Sequence, residues 1–297
     1  MRCKVRTGAP RSRRLGYERE SVMTLREVLR RSTEHLQAKG SKTPRLDTEL
    51  LLAHVLGLAR IELYMNLERP LTEAELDVAR ALVARRARSE PLQYVLGEWG
   101  FRRLTLAVDP RALIPRPETE VLVERALALL RGQETPRVLD VGTGSGAIAL
   151  ALVDEHAGAL VTGIDVSEDA LALARENAER TGIAVELLLH DFQKGLPDGP
   201  WDLVVSNPPY VDPGDLAGLD PEVREWEPRR ALVADGAVEA VVRGALPVLR
   251  SGGALVLEVG DNQSAGVAML LAELGYSDIR VTTDLAEKDR IVEALAA

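Results

Sequence analysis

The sequence predicts an α/β chain, with a doubly wound, mostly parallel seven-stranded sheet preceded by a small all-helical domain. Three observations predict it. Short β-rich runs alternate with helical patterns through the second part of the chain, which is the signature of a parallel sheet covered on both faces. A glycine-rich turn, GTGSG at 142–146, follows the first of those runs directly. Between residues 24 and 88 the apolar positions recur at helical spacing, with capping residues at their borders.

Taken in order, residues 1–22 form a basic arm. Seven Arg or Lys residues face Glu18 and Glu20, against a net charge of −9 for the whole chain. No apolar segment follows, so the arm does not read as a secretory signal. Three readings stay open for it: a disordered tail, a weak RNA-binding arm, or sequence upstream of a true start at Met23. A first helix is expected from Thr24, with Leu25, Val28, Leu29, Ser32 and Leu36 on one face and Gly40 closing it. A second starts at Pro44, whose missing N–H is harmless in a first turn, and runs to Gly57. A third follows Thr72, where Glu75 completes a capping box, and ends near Arg88. Residues 23–88 are therefore expected to be a helical substrate-interaction domain. The run EPLQYVLGEWGFRRLTLAVDP then reads as a β-hairpin linker, residues 89–110, with its break at Gly97 to Gly100.

Strands are expected at 137–142, 160–166, 184–191, 201–207 and 254–260. The terminal segment from Asp278 gives two further runs, a hairpin with one antiparallel edge strand. A helix is expected after Ser167, whose hydroxyl can cap it while Glu168 and Asp169 meet the positive end of its dipole.

Composition narrows the function classes. Aromatic residues are only 3% of the chain, so the core must be aliphatic. No apolar run approaches the roughly 18 residues of a membrane span. The single cysteine, Cys3, cannot form an internal disulfide, and no Cys/His pair has metal-ligand spacing, so we expect a reducing compartment, the cytoplasm, and no metal. Outside the arm the chain is acidic, which argues against broad contact with nucleic acid.

The stretch VLDVGTGSGAIAL, 138–150, ends a strand in a turn where Gly142, Gly144 and Gly146 let a ligand approach the backbone. The letters also match a dinucleotide fingerprint, so the glycines alone do not choose a cofactor. Two features favour S-adenosyl-L-methionine. Asp140, just before the turn, would repel a pyrophosphate but serves a cationic amino-acid end, directly or through water, and the spacing is G-x-G-x-G. Thr143 and Ser145 complete the loop. Asp165, ending the next strand, is placed to accept both ribose hydroxyls. Asp191 and Phe192 end the third strand, where a carboxylate can accept from an adenine amine and an aromatic face can stack on the base.

The stretch VVSNPPYVD, 204–212, stiffens the chain directly after a buried strand. Pro208 and Pro209 fix φ and carry no N–H. The loop therefore presents acceptors: the Asn207 side-chain oxygen and the Pro208 carbonyl can hold the two hydrogens of a planar NH₂ group. Tyr210 would wall the pocket and stack on a flat substrate.

N-P-P-Y occurs in methyltransferases acting on planar nitrogens, and the chain from Thr24 onward resembles the PrmC/HemK family of protein-(glutamine-N5) methyltransferases. PLQYVLGEWGF, LIPRPETE, DVGTGSGAIALAL, GIDVS, VSNPPYV, EPRRALVADG, GGALVLEVG and DLAEKDRIV carry the resemblance. It implies a class I methyltransferase, Rossmann-like, spanning 111–297, with S-adenosyl-L-methionine held by Gly142, Gly144, Gly146 and Asp165. It further implies in-line methyl transfer to the glutamine of the Gly-Gly-Gln loop of class I peptide chain release factors, with Asn207, Pro208, Pro209 and Tyr210 as the substrate loop. Where many relatives have a tryptophan after the third strand, this chain has Phe192. In LIPRPETE, Arg116 stands between two prolines; it either contacts the substrate backbone or pairs with an acidic surface residue. Glu258 is either a hydrogen-bond acceptor behind the site or a strand-end charge, and is left unassigned. A monomer is expected. Two other functions stay open: an N6-adenine or N4-cytosine nucleic-acid methyltransferase using the same loop, and a catalytically silent nucleotide-binding module.

Overall fold

The structure, a computed structural model, describes residues 23–297 apart from 234 and 285. The expectations for the basic arm and for Cys3 lie outside the described residues. The chain divides into two compact units after Ala84.

In the first unit, α1 (Leu25–Ala38) is capped by the Thr24 hydroxyl, which accepts from the Glu27 N–H, and it buries Leu25, Val28, Leu29 and Leu36. Helix α2 (Pro44–Leu56) begins on its proline and ends on Gly57 at φ 62°, the left-handed conformation that closes a helix without steric cost. Helix α4 (Glu73–Arg86) has the expected capping box, with Glu75 accepting from the Thr72 N–H at 2.8 Å. Between them lies α3 (Arg60–Met65), which the sequence reading did not anticipate. It is held by a single buried leucine, Leu63, and by Glu62, which reaches back to the Ala59 N–H at 2.7 Å. These helices close on one apolar core containing Leu25, Leu29, Leu52, Leu63 and Leu76.

The second unit opens with a correction. Residues Leu92–Leu96 are a helix, α5, not a strand, and Gly97 at φ 77° is its C-terminal cap. The hairpin is present but one run later: β1 (Glu98–Phe101) pairs with β2 (Leu104–Ala107), turning at Arg102 and Arg103 and not at Gly97 to Gly100. Pro91 before the run and glycine after it are helix-border signals that outweigh the β-prone Tyr94 and Val95.

From there the sheet builds as expected, with strands β3 (Arg137–Val141), β4 (Leu160–Asp165), β5 (Glu186–Leu189), β6 (Trp201–Ser206), β7 (Leu249–Glu258), β8 (Ser277–Thr283) and β9 (Asp289–Leu295). They lie in the order β5-β4-β3-β6-β7-β9-β8, parallel from β5 to β7. Helices α6 (Pro117–Leu129), α7 (Ala147–Glu155), α8 (Glu168–Thr181), α11 (Ala237–Ala245) and α12 (Ser264–Glu273) cover it, with two short turns, α9 (Pro221–Trp226) and α10 (Arg229–Leu232), in one long connection. Both faces are dry. Val138, Leu203, Val205 and Val256 enter one core cluster, while Leu139, Val141, Val204, Leu255 and Leu257 enter the other. That is the period of two expected for a strand buried on both sides.

A second correction concerns the terminal hairpin. Its antiparallel strand, β9, sits inside the sheet between β7 and β8, and β8 is the edge. Burial explains the order: β9 buries Arg290 to Ala294 in succession, whereas most of β8 faces solvent. Among the described residues no helix is long and apolar enough to cross a membrane.

Candidate active site

The chain runs β3, β4, β5 outward and then returns to lay β6 on the other side of β3, so the strand order reverses between β3 and β6. Open α/β sheets bind ligands at that point, beyond the strands' carboxyl ends. Register fixes what meets there. Val141 pairs with Ser206, and the Ser206 hydroxyl donates to the Val141 carbonyl at 2.7 Å. The next residues, Gly142 and Asn207, therefore leave the sheet side by side. Val141 also pairs with Ile164, which brings Asp165 to the same edge.

Gly142 lies at φ 75°, and a Cβ built there would meet no atom within 4 Å, so a side chain would project into free space. The Asp165 carboxylate is held by the N–H groups of Gly144, at 3.0 Å, and Ser167, at 2.9 Å. Burial raises its pKa above the ordinary aspartate value, opposed by those donors and by Arg230.

One cavity at this edge is lined by Gly142, Thr143, Gly144, Ser145 and Asp165 and also by Phe192, Asn207 and Pro209. Eight of the expected site residues thus share one wall, joined by Ile114 and Arg230, which sequence reasoning did not single out. The others lie elsewhere. Asp140 is fully buried behind the loop, where it accepts from the Thr143 hydroxyl at 2.7 Å. It is not part of the wall. Gly146, at φ 80°, packs against helix α8, where an added Cβ would sit 3.2 Å from that of Ala174. Asp191 turns away to cap the short helix that follows, accepting from the Gln193 N–H at 3.1 Å and pairing with Lys194.

The N-P-P-Y loop is arranged as an acceptor surface. Among the described residues none donates a hydrogen bond to the Asn207 side-chain oxygen or to the Pro208 carbonyl. The Asn207 amide nitrogen is engaged, donating to the Thr119 hydroxyl at 3.2 Å. Thr119 in turn donates to Glu258 at 2.7 Å, and the Tyr210 hydroxyl reaches the other oxygen of Glu258 at 3.4 Å. Tyr210 itself does not wall this cavity. Its ring packs beside Gly260 and lines a neighbouring one with Pro209, because its hydroxyl turns toward Glu258. Arg116 pairs with Glu227, a carboxylate that is buried and not on the surface.

Residues 27–97 match the PrmC N-terminal domain, and residues 118–219 match the methyltransferase small domain. The release factor glutamine methyltransferase of Geobacter sulfurreducens is 43% identical over 281 residues, covering 93% of this chain and 98% of that one. Its counterpart in Deinococcus radiodurans is 44% identical over 284 residues, 93% of this chain and 99% of the other. The chain belongs to the PrmC/HemK family of release factor glutamine methyltransferases.

The class I methyltransferase sheet has its own parallel. The Thermus thermophilus 16S rRNA N2 G1207 methyltransferase, solved with AdoMet and guanosine, superposes with a TM-score of 0.50 at 21% identity, over 67% of this chain and 50% of that one. It shares the fold.

For this PrmC/HemK chain, the groups behind the cavity carry unusual protonation. Burial pushes Asp140 up to about 7, opposed by the Thr143 hydroxyl and the Ala149 N–H. Burial also pushes Glu258 up to about 7, opposed by Thr119 and Arg290. Burial and the Glu258 charge push the Tyr210 hydroxyl up to about 12, so it stays a donor. Thr119 and Glu227 were not singled out from sequence. Thr119 stands inside LIPRPETE and Glu227 opens EPRRALVADG, so co-occurrence of those stretches with N-P-P-Y was the available signal.

Proposed function

We propose that the chain transfers a methyl group from S-adenosyl-L-methionine to the side-chain amide nitrogen of the glutamine in the Gly-Gly-Gln motif of class I peptide chain release factors. The observation that carries this reading is the pair of free acceptors, the Asn207 side-chain oxygen and the Pro208 carbonyl, the first on a residue that lines the glycine-loop cavity and the second on the residue that follows it in the chain. A primary amide presents two hydrogens in one plane, and two fixed acceptors match it.

The cavity fits the cofactor by its donor set. Asp165, with both oxygens already anchored by backbone donors, has lone pairs left for a vicinal diol. Phe192 offers an aromatic face, and Gly142 leaves the backbone open to close approach. When bound, S-adenosyl-L-methionine supplies a methyl carbon activated by a sulfonium. The protein's part is orientation. An amide nitrogen is a poor nucleophile because its lone pair is delocalised, and acceptors on both hydrogens favour its pyramidalisation as charge builds. Orientation of this kind is worth roughly 7–11 kcal/mol of barrier when geometry is good. The helical unit is assigned to the body of the release factor, supported by Ile61 and Met65, which leave one face of α3 apolar and 70% and 80% exposed. The reaction belongs to the cytoplasm, in keeping with the lone cysteine.

The test is incubation with labelled S-adenosyl-L-methionine and, separately, purified release factor and nucleic acid, followed by peptide mass mapping. Label on the Gly-Gly-Gln glutamine is expected. Label confined to nucleic acid, or on neither, would falsify the reading.

A further inference from the structure

A carboxamide presents an acceptor at one end and a donor at the other, and its partners decide which end faces where. Asn207 meets the Thr119 hydroxyl on one side and the cavity on the other. A hydroxyl has one proton to give. Glu258, when ionised, can only accept, and its Oε2 takes that proton across 2.7 Å in a buried setting where such bonds are strongest. Thr119 then has only lone pairs left for Asn207. The amide nitrogen must therefore face Thr119, at 3.2 Å, and the oxygen must face the other way.

We infer that Thr119 and Glu258 are positioning residues that set the polarity of the Asn207 carboxamide, so that its oxygen and not its NH₂ meets the substrate amide; this rests on the function proposed above. The polarity reverses when Glu258 gains a proton. A carboxylic acid donates to Thr119, the Thr119 hydrogen is released toward Asn207, and the carboxamide can turn its nitrogen to the cavity. There it opposes a substrate NH₂ that also donates. The groups facing Glu258 are Tyr210 from the N-P-P-Y loop, Glu118 and Thr119 from α6, and Arg290 from β9. Arg290 and the two hydroxyls favour the carboxylate, while burial and Glu118 oppose it. The chain thereby links LIPRPETE, N-P-P-Y and the end of β7, segments up to 139 residues apart in sequence.

The experiment measures kcat, KM and cofactor Kd with purified release factor and S-adenosyl-L-methionine across pH 5.5 to 9. Thr119→Val, isosteric but without the hydroxyl, is expected to lower kcat about 10- to 100-fold, the scale of a misplaced reacting group, with cofactor Kd within severalfold. Thr119→Ser restores the hydroxyl and is expected to rescue turnover to within severalfold of wild type. In wild type, kcat/KM is expected to fall as pH drops through the Glu258 transition, and Glu258→Gln abolishes that limb. The inference is overturned if Thr119→Val turns over like wild type, if Thr119→Ser is as impaired as Thr119→Val, or if the acid limb persists in Glu258→Gln. Should Glu258→Gln fail to fold, the valine and serine pair decides alone. A wild-type enzyme that leaves release factor unmodified overturns the proposed function with it; a competent wild type with any of the three results overturns only the positioning role.

Discussion

Arg116 pairs with Glu227, 111 residues away, and Glu227 also accepts from the Ile114 N–H at 3.3 Å. The pair pins the segment before α6 to the segment after α9, and both border the candidate cavity through Ile114, Pro115, Pro228 and Arg230. Burial raises the pKa of Glu227 and Arg116 opposes it. Removing one partner of such a pair leaves a buried charge uncompensated. Arg116→Ala is therefore expected to cost about 3 kcal/mol in denaturant unfolding, and Arg116→Ala/Glu227→Gln to recover part of that loss. Additive losses would show that the two do not act as a unit.

Asp165 sets a second expectation. Each of its oxygens already accepts one backbone N–H, from Gly144 and from Ser167. In Asp165→Asn the new NH₂ must point at one of those donors, and a charge-assisted acceptor is lost. S-adenosylhomocysteine titrated by calorimetry is expected to bind about 10- to 100-fold more weakly. A change of less than about twofold would remove Asp165 from the cofactor site.

The helical borders and the sheet were legible because their signals are local. Thr24, Pro44, Gly57 and Ser167 act within one turn of where they stand, and strands buried on both faces read as short continuous apolar runs. Failures fell where a local signal was weak or the decisive partner was distant. LQYVL is too short for periodicity to separate helix from strand, and RIELYM buries only Leu63. The inner position of β9 is a tertiary choice between two β-prone runs. In the site, the glycine loop and N-P-P-Y announced themselves, while the turning of Asp191 and Tyr210 away from the cavity depended on Lys194 and Glu258. Thr119 and Glu258 are ordinary residues until the fold joins them.

Asp140 makes a prediction about pH. Its folded pKa, about 7, lies above the ordinary aspartate value. Between those two values the native state holds a proton that the unfolded chain releases, so stability falls as pH rises through the interval and levels off above about 7. Asp140→Asn cannot titrate. Comparing pH 5 with pH 8, the wild type should lose roughly 2–3 kcal/mol more stability than the variant. Parallel stability profiles for the two proteins would mean that Asp140 is ionised throughout.

Asn207 carries the central claim, because its oxygen and the Pro208 carbonyl are the acceptors offered to the glutamine amide. The most direct measurement is single-turnover methylation of purified release factor by Asn207→Ala, with cofactor affinity measured on the same sample. The account predicts a rate at least about 100-fold below wild type, as for loss of one preorganised polar group in an active site, and a cofactor Kd changed only severalfold. Methylation of the Gly-Gly-Gln glutamine at the wild-type rate would contradict it.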